Sequence, residues 1–206
     1  MAKDTKERIL TAALDMFSQN GYAGPNMREL MASIGLAKSS TYRHFESKEE
    51  LWNALLDEMI VYYGERFGST EHLPPVPDST EELVAMTMRM VRITIQDEKI
   101  VMIRKLLTIE QFRDERAREL ATKHFLTGLT EMFAVIFEGM MDKGLLRRDD
   151  PAMLAFAYIA PISSLIHLCD REPGKTGEAL AQAEAFSRHF MKVYGSAGTP
   201  EPGSGT

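Results

Sequence analysis

The sequence predicts an all-α protein, and three observations support this prediction. Every clear periodicity in the 206 residues is helical, and no stretch shows the alternation of a half-buried β-strand. Ser or Asn residues with Glu three positions later mark several helix starts, and glycines mark helix ends. Apolar residues make up 44% of the chain and charged residues 26%, a balance that predicts a packed core and excludes a disordered chain.

Three helices are predicted within the first fifty residues, over 6–20, 26–34 and 38–45. The first has an apolar stripe typical of a buried helix face: Ile9, Leu10, Ala13, Leu14 and Phe17. Asn26 and Glu29 form a predicted capping box at the start of the second helix. Gly21 and Gly35 are the predicted ends of the first two helices.

Six more helices are predicted, over 47–63, 79–96, 100–111, 115–143, 150–169 and 176–194, which gives about nine in all. Ser47 and Ser79 are predicted N-caps, each with Glu three positions later. Asp150 followed by Pro151 is a strong start signal, because an acidic group and a proline both suit the first turn. Pro161 predicts a kink in the helix that follows.

Two short helices joined by a glycine-containing turn, after a longer amphipathic helix, have the spacing of a helix-turn-helix. In that arrangement the second short helix enters the major groove, where hydroxyl groups and a lysine bind phosphates and small side chains approach base edges. The first fifty residues carry seven basic and seven acidic side chains, so the rest of the chain carries the whole net charge of −6. A helical hairpin in a bundle core gives a similar pattern, so this pattern alone leaves DNA binding open.

Residues 6–55 resemble the N-terminal domain of the TetR family of bacterial transcriptional regulators. The resemblance rests on three strings: ILTAALDMFSQNGY, MRELMASIGLAKSS and TYRHFESKEEL. It covers about a quarter of the chain, and the all-helical remainder has the length and helix number of the family. It implies that the DNA contacts come from Arg28, Lys38, Ser39, Ser40, Thr41, Tyr42, His44 and Lys48. Thr41 stands where the family usually has an aliphatic residue, and Ala37 where Ser or Thr often caps the recognition helix.

The stretch 151–169 has no charged side chain, which fits either a membrane span or a helix buried on several sides. Its small residues, its hydroxyl groups and Pro161 favour burial, and we expect no contact with a membrane. The resemblance implies that the helices near 151–169 and 176–194 form a four-helix homodimer interface. A two-fold dimer presents two recognition helices roughly 34 Å apart, which predicts a palindromic site on double-stranded DNA.

The resemblance also implies a small-molecule effector among the middle helices. The chain contains 14 methionines, and methionine-rich cavities adapt to varied apolar or amphipathic ligands. Polar candidates for orienting a ligand are His124 and His167. The same residues fit ordinary core packing, so both interpretations stay open. The candidate lining consists of Tyr62, Phe67, Met86, Met90, Ile93, Met102, Leu106, Phe125, Leu129, Met132, Phe133, Tyr158, Ile162 and His167.

Other classes find little support in the sequence. No phosphate-binding loop, metalloprotease motif or nucleophile elbow is present, and the histidines lack metal-ligand spacing, so we expect no enzyme, metal or cofactor. Cys169, a lone thiol, and the charged N-terminus predict a cytoplasmic protein. The predicted domains are 1–47 for DNA binding, 48–194 for effector binding and dimerisation, and 195–206 as a flexible tail. The hypothesis is a ligand-responsive transcriptional regulator that acts as a repressor and is released from DNA by its effector. The alternative is a helical small-molecule carrier or a protein-docking adaptor that has lost DNA binding.

Overall fold

The computed structural model describes residues 2–36, 44–68 and 73–196. The predicted second short helix at 38–45 therefore lies outside the described residues, apart from its last two positions. The described part of the chain consists of helices joined by turns, and the predicted all-α class is confirmed. The helices are α1 (Ala2–Asn20), α2 (Met27–Ser33), α3 (Lys48–Phe67), α4 (Thr80–Gln96), α5 (Glu98–Glu110), α6 (Glu115–Thr122), α7 (Gly128–Asp142), α8 (Pro151–Arg171) and α9 (Thr176–Tyr194).

The helix starts follow the predicted capping chemistry. The side chain of Asn26 accepts hydrogen bonds from the backbone N–H groups of Arg28 and Glu29, and the Glu29 carboxylate accepts one from Asn26 in return. Asp150 caps α8 in the same way by accepting from Ala152 and Met153. These bonds satisfy N–H groups that have no partner within the helix.

The two serine caps use a variant of the capping box. Ser47 Oγ accepts from the Glu50 N–H at 3.0 Å, but the Glu50 carboxylate accepts from Glu46 rather than from Ser47. Ser79 likewise caps α4 while Glu82 accepts from the residue before the cap. The serine half of each predicted box is confirmed, and the glutamate reaches one residue further towards the N-terminus.

The predicted single helix over 115–143 is wrong in its middle. Residues 123–127 form a π-helical turn between α6 and α7. A π turn holds one more residue than an α turn, which apolar spacing does not reveal. Gly128 permits this turn, because a Cβ atom there would lie 2.7 Å from the Lys123 carbonyl oxygen.

The helices divide into two units. The N-terminal unit comprises Met1–Phe67 and Glu98–Thr122, and in it α1 packs against α2, α3 and α5. The C-terminal unit comprises Gly68–Asp97 and Lys123–Thr206, with α8 packed against α7 and α9, and α4 packed against α9. The N-terminal unit thus includes α3, α5 and α6 beyond residue 47. The functional boundary at residue 47 stays a prediction.

The end of α9 is joined to the turn before α8. The Arg147 N–H donates to the Tyr194 carbonyl at 2.9 Å, and the Ser196 N–H donates to the Leu145 carbonyl at 3.1 Å. Leu146 and Gly195 form an isolated antiparallel β-bridge between these two bonds. Gly195 and Ser196, which the sequence assigns to a flexible tail, are therefore held by backbone hydrogen bonds.

Candidate DNA-binding and ligand-binding sites

The helix-turn-helix region is anchored by α1 and α2. Ile9, Ala13 and Phe17 of α1 are fully buried, and Leu30 and Met31 of α2 are buried against the same unit. Phe45, the last residue of the predicted recognition helix, is also buried. The segments on either side of residues 37–43 are therefore fixed by apolar packing.

Three of the eight predicted DNA-contacting residues are among the residues that the structure describes. Lys38, Ser39, Ser40, Thr41 and Tyr42 lie outside the described residues. The three that remain differ in exposure: Arg28 is exposed on α2, whereas His44 and Lys48 are half-buried. Their contacts with DNA stay a prediction.

Lys48 lies over aromatic rings within the N-terminal unit. Its Nζ is 4.6 Å from the centroid of Tyr22 and 5.5 Å from that of Phe17, which is the geometry of a cation–π contact. Burial lowers the pKa of Lys48, and the nearby carboxylates of Glu110 and Glu29 oppose that shift. The ammonium group therefore has attractive partners within the protein.

Two acidic residues that were not predicted as functional accept hydrogen bonds within the N-terminal unit. Glu110, only 3% exposed, accepts a hydrogen bond from the Tyr22 backbone N–H at 2.8 Å. Asp114 Oδ2 accepts from the indole Nε1 of Trp52 at 3.2 Å. A signal for Glu110 exists, because it continues the buried stripe of Ile103 and Leu107 at helical spacing.

The C-terminal unit contains an aromatic core centred on Tyr158. This ring is fully buried and lies 4.7 Å from Phe190 and 5.3 Å from Phe133, measured between centroids. Its hydroxyl group is 2.8 Å from Thr87 Oγ1, and Ser187 also hydrogen-bonds to it. Burial raises the pKa of Tyr158, while the two hydrogen bonds oppose the shift, so the phenol is neutral at pH 7.

Half of the predicted ligand-binding residues meet in this core. The residues that join it are Met86, Met90, Leu129, Met132, Phe133, Tyr158 and Ile162. Ile93, Phe125 and His167 are half-buried elsewhere in the C-terminal unit, where His167 Nδ1 lies 3.8 Å from the Asp170 carboxylate. The rest belong to the N-terminal unit: Tyr62, Phe67, Met102 and Leu106. A ligand-lining role for any of them stays a prediction.

Two of the candidates in the N-terminal unit have packing roles. The Tyr62 ring lies 4.4 Å from Lys99 Nζ, and its hydroxyl accepts a hydrogen bond from Arg66 at 2.9 Å. Leu106 is fully buried on the face of α5. Core packing accounts for Leu106, and the contacts with Lys99 and Arg66 account for Tyr62.

His124 lies on the π-helical turn. Burial lowers the pKa of His124 from 6.5 to about 4, and the charge of Lys123 adds to this shift. The imidazole is therefore neutral at pH 7. A neutral imidazole offers one hydrogen-bond donor and one acceptor, which is suitable chemistry for orienting a small molecule.

Helix α8 has an exposed apolar face. Among the described residues it is the one helix long and apolar enough to span a membrane, although only 33% of its most apolar stretch is buried. Met153 is 63% exposed and Phe156 is 51% exposed. Ala152, Ala157, Pro161 and Ser164 extend this face, which we call the α8 face, without any charge. Ala155 of α8 and Ala179 and Ala183 of α9 are buried within the chain.

The chain is similar to known bacterial transcriptional regulators. The sequence model described as "Bacterial regulatory proteins, tetR family" matches residues 9–55. The HTH-type transcriptional regulator RutR of Escherichia coli (strain K12) is 23% identical over 189 residues, which are 91% of this chain and 86% of RutR.

Solved structures of the family share the fold. A TetR transcriptional regulator from Chloroflexus aurantiacus J-10-FL has a TM-score of 0.68 at 24% identity, with 94% of this chain and 97% of that chain covered. SmeT, the repressor of the Stenotrophomonas maltophilia multidrug efflux pump SmeDEF, has a TM-score of 0.65 at 20% identity, with 97% and 94% covered. Together with the match over residues 9–55, these findings show that the chain contains a segment of the TetR-family helix-turn-helix type and has the fold of TetR-family transcriptional regulators.

Proposed function

We propose that this regulator is a repressor that binds a palindromic operator as a homodimer and is released by a small apolar or amphipathic effector. The observation that carries the proposal is the helix-turn-helix match over residues 9–55, supported by the capped helix α2 and its buried anchors. The description of SmeT as a repressor supports repression as the direction of regulation.

The DNA contacts in this proposal come from α2, the predicted recognition helix and the start of α3. Arg28 is exposed and free of the core, so it can reach a phosphate. Lys48 would keep its place over Tyr22 and contribute a positive potential beside the DNA. The full proposed set is Arg28, Lys38, Ser39, Ser40, Thr41, Tyr42, His44 and Lys48.

The homodimer in this proposal forms through α8 and α9. The α8 face is exposed, uncharged and several turns long, and a monomer would leave its apolar side chains in water. Pairing with the same face of a second copy would bury them across a two-fold axis. A cytoplasmic location accords with such a DNA-binding dimer.

The effector in this proposal binds within the C-terminal unit. Methionines Met86, Met90 and Met132 adjoin the aromatic core, and methionine side chains repack readily around apolar ligands. Tyr158 and neutral His124 could each form one hydrogen bond with a polar group of the ligand. An apolar molecule with few polar groups fits this chemistry.

The decisive experiment selects DNA from a random double-stranded library with the purified protein, with and without a small-molecule extract of bacteria. We expect a palindromic sequence that binds at least about a thousandfold more tightly than random DNA at physiological salt. We also expect the extract to reduce that binding.

Each other outcome changes a different part of the proposal. Binding that increases with extract would indicate a corepressor instead of an inducer. A selected site without two-fold symmetry would contradict the homodimer mode of binding. Recovery of no specific sequence in either condition would refute DNA regulation and favour a helical ligand carrier.

A further inference from the structure

We propose that Glu110 and Asp114, at the corner between α5 and α6, form a latch that holds the helix-turn-helix in its DNA-binding position. The latch rests on the proposed operator binding, and it adds two positioning residues that do not touch DNA. Both residues form hydrogen bonds with partners more than sixty positions away in the sequence. In the sequence, these partners come before and after the predicted recognition helix.

Glu110 holds the turn between α1 and α2. Its buried carboxylate accepts from the Tyr22 N–H at 2.8 Å. Gly21 makes this approach possible, because a Cβ atom at that position would lie 2.7 Å from Glu110 Oε1. A hydrogen bond to a buried carboxylate is strong and meets little competition from water. The turn that leads into the first helix of the helix-turn-helix is therefore tied to the end of α5.

Asp114 holds α3, which follows the predicted recognition helix. One carboxylate oxygen accepts from Trp52 Nε1 at 3.2 Å, and the other accepts from the Ala117 N–H at 2.7 Å at the start of α6. Arg116 adds an ion pair with Asp57 of α3. The corner is thus bonded to both helices that flank the recognition segment.

Tyr22 and Trp52, the hydrogen-bond donors to Glu110 and Asp114, also contact each other. The rings of Tyr22 and Trp52 lie 5.1 Å apart, and the Lys48 ammonium lies over Tyr22. Glu110, Tyr22, Trp52 and Asp114 therefore form a closed circuit of contacts. A displacement of the corner must break this circuit or move α2 and α3 with it, and either change alters how the recognition helix meets the groove.

The test compares Glu110→Ala and Glu110→Gln with Glu115→Ala as a matched control. Glu115 is exposed, and its replacement by alanine removes the same charge as Glu110→Ala without touching the circuit. Affinity for the selected DNA is measured by fluorescence anisotropy at a temperature where circular dichroism shows every variant to be folded. Amide hydrogen exchange in Met27–Ser33 of α2 is measured on the same samples.

We expect Glu110→Ala to weaken DNA binding about tenfold, because the buried Tyr22 N–H loses its acceptor. The amides of α2 should exchange faster in this variant. Glutamine keeps a carbonyl oxygen for Tyr22, so Glu110→Gln should recover most of the affinity. Glu115→Ala should stay within about twofold of the wild type, because exposed charges contribute little.

Asp114→Asn tests the second bond. A single amide oxygen cannot serve both Trp52 and Ala117, so the indole environment changes. Trp52 is the only tryptophan in the chain, and its fluorescence emission reports this change directly. A double-mutant cycle with Trp52→Phe should give non-additive losses of DNA affinity if the two residues act through one bond.

The outcomes separate the latch from the proposed operator binding. Wild-type affinity in folded Glu110→Ala, or equal losses in Glu110→Ala and Glu115→Ala, overturns the latch and leaves operator binding intact. If the wild-type protein selects no DNA, operator binding fails, and hydrogen exchange then decides the latch. In that case faster exchange of α2 in Glu110→Ala supports it, and unchanged exchange overturns it.

Discussion

The role of Glu110 could not be predicted from helical periodicity, although its position in the helix fits that periodicity. It continues the buried face of α5 after Ile103 and Leu107, yet an acidic side chain at a helix end is ordinarily a solvated one. Its burial depends on the Tyr22 N–H, which is 88 positions away in the sequence. Local spacing indicates that Glu110 lies on the buried face but carries no information about a partner at that distance, so its role could not be assigned from the sequence.

His124 makes the stability of the protein depend on pH. Its pKa is about 4 in the folded chain and 6.5 in the unfolded chain, so the unfolded state binds the proton more readily between these values. As the pH falls from 6.5 to 4, we expect this residue to reduce the free energy of unfolding by up to about 3 kcal/mol. His124→Gln should lack this component, and urea denaturation at several pH values measures it.

His189→Gln provides the control for that experiment, because His189 is exposed on α9. His189→Gln leaves the surroundings of His124 unchanged, so this variant should keep the component that His124 contributes. If His124→Gln and His189→Gln follow the same pH dependence, the neutral buried imidazole is not the cause.

Most helix starts could be predicted from sequence, and the interruption near residue 123 could not. A cap such as Asn26 with Glu29 involves residues within four positions, so its chemistry is visible in the local sequence. The π-helical turn depends on a change of hydrogen-bond register, which apolar spacing does not reveal. The one local sign of it is Gly128, where a Cβ atom would lie too close to the Lys123 carbonyl oxygen. The aromatic core around Tyr158 was predicted as individual apolar residues, but their assembly required the packing of α4, α7, α8 and α9.

Gly139 of α7 should not tolerate alanine, although alanine favours helices. A Cβ atom there would lie 2.7 Å and 2.9 Å from the two methyl carbons of Val76. The Lys143 ammonium holds that segment by a 2.7 Å hydrogen bond to the Val76 carbonyl. We expect Gly139→Ala to lower the free energy of unfolding by about 1–3 kcal/mol in urea denaturation.

Two further variants isolate this contact. Gly64→Ala on α3 places its Cβ in open space, so it should be neutral or stabilise by up to about 1 kcal/mol. Val76→Ala added to Gly139→Ala should restore part of the loss. A stabilising effect of Gly139→Ala alone would mean that the Val76 segment moves away at little cost.

The α8 face gives a prediction about assembly. Phe156→Glu places a charge in the middle of the proposed interface, where burial without a partner is unfavourable. We expect the wild type to sediment as a dimer and this variant as a monomer at the same concentration. Val61→Glu is the control, because Val61 on α3 is 60% exposed but lies outside the proposed interface. Equal dissociation by both variants, or a dimeric Phe156→Glu protein, would contradict the assignment.

At the scale of the whole molecule, two linked recognition helices should impose a fixed spacing on the operator. Insertion of about five base pairs at the centre of the selected site rotates one half-site by half a turn, and we expect binding to fall to the level of random DNA. An asymmetric change of one half-site should instead weaken binding by about 1–3 kcal/mol per base pair. Anisotropy titrations with these duplexes measure both effects. Binding that is indifferent to the insertion would argue against simultaneous contact by two subunits.

The N-terminal unit is assembled from two separated stretches, Met1–Phe67 and Glu98–Thr122. The order of synthesis on the ribosome therefore matters. Glu110 and Asp114 emerge only after α4 has been made, so the first 67 residues lack the two carboxylates that accept hydrogen bonds from Tyr22 and Trp52 when they leave the exit tunnel. A nascent chain released before residue 114 cannot close these contacts. The regulator thus acquires its DNA-binding unit late in translation, and a gene fragment cut after residue 67 would not encode that unit complete.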